Sequence, residues 1–200
     1  MTTERESPFI TGASGDRRSF FRDTVGRLVD EVARRTERRV APHAYFRPPG
    51  AAGELLFLAA CTRCGDCIEV CPAKAIIKAP SGAGFAVGTP IIDPMVQPCV
   101  VCDEMPCAVA CPTDALTVPE RLWEGYRMAR LELDPERCIA FHDVACGVCA
   151  RVCPVGEKAL SLDDGGRPVI KAEGCVGCGG CVRACVTAPP SLELHLSGAR

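Results

Sequence analysis

Hydrophobic positions follow two patterns along the chain. Near the start, Phe21, Val25, Leu28 and Val32 recur at helical spacing with charged residues between them, predicting an amphipathic helix over 18–39 that stops before Pro42. Arg47-Pro48-Pro49-Gly50 then reads as a stiff extended connector, because consecutive prolines fix φ and hold the preceding residue out of the helical region. From there on the apolar runs shrink to the length of short strands: Ala75-Ile76-Ile77, Pro90-Ile91-Ile92, Ala115 to Val118, Arg130 to Leu133, Ala159 to Leu162, Pro168-Val169-Ile170 and Ser191 to Leu194. Between Glu120 and Met128 the pattern is helical again and holds the one tryptophan, Trp123.

Composition explains why the strands are so short. Of 200 residues, 48% are hydrophobic but only 5% aromatic, with seven Phe, two Tyr and one Trp, while 16 are cysteine. Few large side chains are left to fill a core, so the cysteines and whatever they bind must occupy the interior. A net charge of -2 is no strongly basic balance to suggest nucleic acid, and with 48% hydrophobic against 24% charged residues the composition is too apolar for a disordered chain. Charge is unevenly distributed. Residues 1–50 carry no cysteine and are net basic, and residues 51–200 are net acidic, which marks a head and a body.

The cysteines fall into four quartets with none left over: Cys61, Cys64, Cys67 and Cys71; Cys99, Cys102, Cys107 and Cys111; Cys138, Cys146, Cys149 and Cys153; Cys175, Cys178, Cys181 and Cys185. The first has the C-x2-C-x2-C-x3-C-Pro spacing of bacterial cubane ferredoxins. The second widens its middle gap to x4 and the third its first gap to x7. The fourth keeps the spacing but replaces the proline with Val186. Three cysteines so close wrap a loop over one face of a [4Fe-4S] cube, with backbone N–H groups turned inward, and the fourth ligates a neighbouring cube. Gly65, Gly147, Gly177, Gly179 and Gly180 let that backbone approach closely. Structural zinc draws its ligands from two separated pairs, and thioredoxin-type chemistry uses a single CxxC, so neither accounts for four quartets. All sixteen cysteines are expected to bind iron, in four [4Fe-4S] clusters.

Leu162-Asp163-Asp164-Gly165-Gly166-Arg167-Pro168 reads as a tight turn between two strands and argues that quartets three and four share one two-cluster module, leaving quartets one and two for the other. Terminal cysteines then exchange: Cys71 with Cys111, and Cys153 with Cys185. A nested arrangement, first with fourth and second with third, stays open. The expected fold is α+β: residues 1–50 a helical head and connector, 51–119 one ferredoxin module, 120–130 a helical bridge, and 131–200 a second module.

Four quartets in this order, the lead-in Arg47-Pro48-Pro49-Gly50-Ala51, and the stretch from Val144 to Pro154 resemble the NapG/MauM group of ferredoxin-type proteins over about 17–195. That resemblance implies an accessory electron carrier of a nitrate-reducing or methylamine-oxidising system. Its partners would be redox proteins, such as a molybdenum enzyme or a membrane subunit that oxidises quinol. Group members usually carry a twin-arginine export signal. Arg17, Arg18, Phe20 and Phe21 keep its core, but the residues from Asp23 to Arg39 are heavily charged and supply no apolar segment, so a cytoplasmic location is expected, with the periplasm the alternative. The head helix has three uses open to it: packing on the body, docking on a partner, or peripheral contact with anionic lipid.

No catalytic residue is expected. His43, His142 and His195 are isolated in sequence, although His142, inside the x7 loop, is placed to donate to a cluster sulfur. No phosphate loop or dinucleotide fingerprint occurs. The chain therefore reads as an electron-transfer protein, a carrier or a subunit of an oxidoreductase rather than an enzyme itself. A cluster-donating assembly or maturation factor is the competing reading.

Overall fold

A computed structural model describes residues 45–196; the helix expected over 18–39 and His43 lie outside them. The described chain builds two α+β modules, each with a strand pair between its two quartets and a second pairing that joins its ends.

In the first module, α1 (Glu54–Ala60) follows the connector and buries Phe57 completely. The chain then passes through α2 (Asp66–Glu69) to the antiparallel pair β1 (Ile76–Lys78) and β2 (Pro90–Ile92), in register Ile76↔Ile92 and Lys78↔Pro90. After α3 (Pro106–Val109) the run Ala115 to Val118 does not form the expected strand. It makes one antiparallel bridge, Ala51↔Leu116, extended by the Thr117 N–H donating to Gly50 O at 2.9 Å. Of the four residues between the prolines and α1, Gly50 to Gly53, only Gly50 and Ala51 pair with it.

The second module completes the same plan with full strands. β3 (Ala129–Leu133) pairs along its length with β6 (Leu192–Leu196), and β4 (Leu160–Leu162) pairs with β5 (Pro168–Ile170). The β4–β5 turn is fixed by Asp163, whose Oδ1 accepts the N–H groups of Gly165 and Arg167 at 2.9 and 2.8 Å. Between the paired strands lie α4 (Val148–Arg151) and α5 (Gly180–Arg183).

Two expectations are corrected here. Glu120 to Met128 forms no helix; it runs through turns with φ of 50° at Leu122 and 76° at Gly125. Side-chain anchors override its helical pattern: Trp123 Nε1–H donates to Cys102 O at 2.7 Å, and the Gly50 N–H donates to the Tyr126 hydroxyl at 2.7 Å. Nor is Arg47–Gly50 a spacer. Phe46 is buried in the first module's core and its carbonyl accepts the Ile92 N–H at 2.7 Å, while Arg47 forms a bidentate pair with Glu54 and donates to Thr89 Oγ1 and Pro90 O. The Arg47 guanidinium also lies 4.5 Å from the Phe57 ring centroid. The stiff proline pair holds this arginine where it ties α1 to the end of the β1–β2 loop.

Cysteine is part of the core itself. Cys67, Cys71, Cys107 and Cys178 are buried in one apolar cluster with Phe46, Phe57, Ile76, Met105 and Leu116. That cluster crosses the joint between modules, since Met128, Ala129 and Val176 belong to it. At the joint the Met128 N–H donates to Val176 O, and Gly177 approaches so closely that a Cβ there would lie 2.0 Å from Ala129 O.

Candidate metal centre

Each quartet ends in the same local geometry. The residue two places before the third cysteine of each quartet adopts a left-handed conformation and opens a four-residue helix: Gly65 (φ 97°), Met105 (φ 45°), Gly147 (φ 71°) and Gly179 (φ 87°). A left-handed residue followed by a helical turn aligns successive N–H groups on one side, a concave donor surface suited to anionic sulfur. Glycine adopts this conformation without strain; in the x4 loop the fully buried Met105 is held in it instead, with Pro106 starting the helix behind it.

The four loops bring thiols together across the quartets. One cavity, with about 370 Å³ of empty space including its mouth, is lined by Cys61, Cys64, Cys67 and Cys111. A second, of about 350 Å³, is lined by Cys99, Cys102, Cys107 and Cys71, with Trp123 on its wall. A third, again about 350 Å³, is lined by Cys175, Cys178, Cys181 and Cys153. The remaining set is Cys138, Cys146 and Cys149 with Cys185. The Asp134 N–H donates to Ser191 O at 2.7 Å and Arg137 to Pro190 O at 3.0 Å, which brings the segment after Cys185 against the start of quartet three. These cavities pair quartet one with two and three with four, in the crossed arrangement and not the nested one. The second cavity also adjoins the third, because the Cys178 charge acts on Cys99 across the joint.

Electrostatics within each cavity oppose free thiolates. Burial, then the charges of Cys107, Cys61, Cys64 and Cys111, pushes the Cys67 thiol up to about 12. Burial and then Cys71 push Cys107 up to about 11, against local backbone N–H groups. Cys99 is pushed up to about 12, chiefly by burial. Cys181 is raised by burial and by Cys178, Cys175, Cys149 and Cys153. Four clustered thiolates therefore require a cationic group among them, whose binding releases protons. Two terminal cysteines differ. Burial raises Cys185, but the hydroxyls of Ser191 and Thr187 and their N–H groups outweigh it and bring the thiol down to about 7. Cys111 is lowered in the same way by Leu116 and Thr113.

The donor set fits a polynuclear cluster better than a single ion. Among the described residues no three His, Cys, Asp or Glu side chains converge closely enough to hold one metal ion, as tetrahedral zinc requires with sulfur at about 2.3 Å. The thiols line cavities instead, and all sixteen are free of disulfides.

Sequence reasoning missed several residues at these sites. Trp123 braces the second site's loop through Cys102 O, and Arg63, at φ 62°, clasps Val87 O and Phe85 O beside the exposed Cys64. Thr187 and Ser191 reach the Cys185 sulfur; the signal for them was the missing proline after Cys185. His142 does not point its hydrogen bond at sulfur. Its Nε2 lies 2.8 Å from Glu136 O, while His195 pairs with Glu132 at 3.2 Å.

Comparison with known proteins identifies the same kind of cluster-binding chain. Residues 98–157 and 130–186 each match a family described as a 4Fe-4S dicluster domain. The first match covers quartets two and three, and the second covers quartets three and four. Over 198 residues the chain is 34% identical to the ferredoxin-type protein NapG of Escherichia coli K12, covering 89% of this chain and 84% of that one. It is 38% identical over 181 residues to the methylamine utilization ferredoxin-type protein MauM of Methylobacillus flagellatus (80% and 76% covered), and 40% identical over 150 residues to MauM of Paracoccus denitrificans (70% and 66%).

Proposed function

The chain belongs to the NapG/MauM family of ferredoxin-type iron–sulfur proteins, and from that footing we propose that it holds four [4Fe-4S] clusters and relays single electrons between redox partner proteins. The observation that supports the count is the exchange of terminal cysteines, which gathers four thiols around each of three cavities and leaves Cys138, Cys146, Cys149 and Cys185 as the fourth set. Cys61, Cys64, Cys67 and Cys111 hold the first cluster; Cys99, Cys102, Cys107 and Cys71 the second; Cys138, Cys146, Cys149 and Cys185 the third; and Cys175, Cys178, Cys181 and Cys153 the fourth.

Each cluster, when bound, takes up and gives back one electron. The protein's part is to shield it and hold its sulfurs. Apolar neighbours such as Phe57, Met105, Leu131 and Leu160 line the sites, so charge is stabilised by fixed N–H dipoles rather than by water. Using every cysteine as a ligand leaves no thiol for other chemistry, which favours a carrier or an electron-transfer subunit over a catalyst. With about -2 per oxidised cluster and its thiolates, the loaded protein is about 8 units more negative than the bare chain and is attracted to basic partner surfaces. A cytoplasmic location is part of the same proposal; the Arg17-Arg18 segment lies outside the described residues. Reductive titration of the anaerobically purified protein tests the function. Uptake of about four electrons per chain, returned to a one-electron acceptor protein, is the expected result, and uptake of two or fewer contradicts the count.

A further inference from the structure

The four terminal cysteines do not receive the same hydrogen bonds. Cys71 accepts the Ala75 N–H at 3.4 Å, and Cys111 the Leu116 N–H at 3.4 Å with Thr113 Oγ1 out at 3.9 Å. Cys185 accepts the Ser191 N–H at 3.4 Å and has two hydroxyls, Ser191 Oγ and Thr187 Oγ1, each at 3.3 Å. No such donor reaches Cys153 among the described residues. The difference is written in the chain. After Cys185 the usual proline gives way to Val186-Thr187-Ala188-Pro189-Pro190-Ser191, which supplies a hydroxyl two residues on and another six residues on.

As a metal-bound thiolate, Cys185 only accepts, so both hydroxyls donate to it. Ser191 is 2% exposed, and in such a low-dielectric setting its dipole is poorly screened. Extra electron density on a cluster spreads onto its ligand sulfurs, so donors on those sulfurs favour the reduced state over the oxidised one. None of Cys138, Cys146, Cys149 or Cys185 belongs to the apolar cluster shared across the modules, whereas Cys178 of the neighbouring site does.

We propose that Thr187 and Ser191 are positioning residues that hold two hydroxyl dipoles on the Cys185 sulfur and make this site the one of the four that accepts an electron most readily, where electrons collect before leaving for a partner. The proposal rests on the four-cluster reading above. One electron from a donor redox protein reduces the site by one unit, the donor is oxidised by one unit, and no proton or bond changes.

The test is a potentiometric titration of the whole, cluster-loaded protein monitored by electron paramagnetic resonance, comparing Thr187→Val, Ser191→Ala and the hydroxyl-keeping Thr187→Ser and Ser191→Thr. Cys138→Ala/Cys146→Ala identifies which signal belongs to the site. In the native protein that signal has the highest midpoint. Each hydroxyl removal lowers its reduced-to-oxidised ratio about tenfold at fixed potential, about 59 mV for one electron. The other three midpoints stay put, and the hydroxyl-keeping variants retain the native value. An unchanged midpoint in both Thr187→Val and Ser191→Ala, or an equal shift in all four, overturns the proposal. Native protein with fewer than four clusters by iron and sulfide content overturns the reading beneath it, a separate result.

Discussion

Crossed ligation makes a prediction that paired cysteine substitutions resolve. Cys71 shares its cavity with Cys99, Cys102 and Cys107, although it follows Cys61, Cys64 and Cys67 in sequence. The Cys102 and Cys107 thiols both feel the Cys71 charge, whereas Cys67 feels that of Cys111. Cys71→Ala/Cys99→Ala therefore removes two ligands from one site and empties it. Cys61→Ala/Cys111→Ala does the same to the other. Each variant loses about four of about sixteen irons, a quarter of the total, and neither loses more than its more severe single substitution by more than a few irons. Cys61→Ala/Cys71→Ala behaves differently, because it takes one ligand from each of two sites. Two cluster signals change together in that variant, and its effects add as those of independent sites do. Iron and sulfide analysis with electron paramagnetic resonance on anaerobically purified protein reads all three. If Cys61→Ala/Cys71→Ala empties a single site while Cys71→Ala/Cys99→Ala disturbs two, the exchange of terminal cysteines is wrong.

Three further outcomes follow from the packing. Replacing Arg47, whose side chain is 8% exposed, with Met leaves the partly buried Glu54 carboxylate unpaired and costs about 3 kcal/mol, seen as earlier loss of the visible cluster absorbance in urea; Arg47→Met/Glu54→Met recovers most of it. Gly177→Ala, whose Cβ would lie 2.0 Å from Ala129 O, destabilises the joint by several kcal/mol, whereas Gly53→Ala, with open space around it, stays within about 0.5 kcal/mol by the same measurement. Trp123 is the only tryptophan and lines the second cavity but not the first, so its fluorescence is expected to rise more in Cys71→Ala/Cys99→Ala than in Cys61→Ala/Cys111→Ala.

The chemistry was legible in the sequence because cluster ligands must lie close together along the chain. C-x2-C and C-x3-C spacings are local, as are the left-handed positions at Gly65, Gly147 and Gly179 and the Asp163 turn. Most of the short strands were legible for the same reason, being single apolar runs bounded by turns. What stayed hidden depends on contacts between distant segments. Arg47 reaches 42 residues along the chain to Thr89, and the hydroxyl of Tyr126 reaches 76 residues back to Gly50. Such anchors turned a connector into core and a helical pattern into a series of turns. The widened second quartet illustrates the remainder: its x4 gap gives no glycine at the left-handed position, and only the packing around Met105 shows how the loop keeps the same shape.

Metal and sulfide analysis of the anaerobically purified protein tests the central claim most directly. Four occupied sites require about sixteen iron and about sixteen acid-labile sulfide per chain, with negligible zinc. About four zinc per chain and no labile sulfide would contradict it.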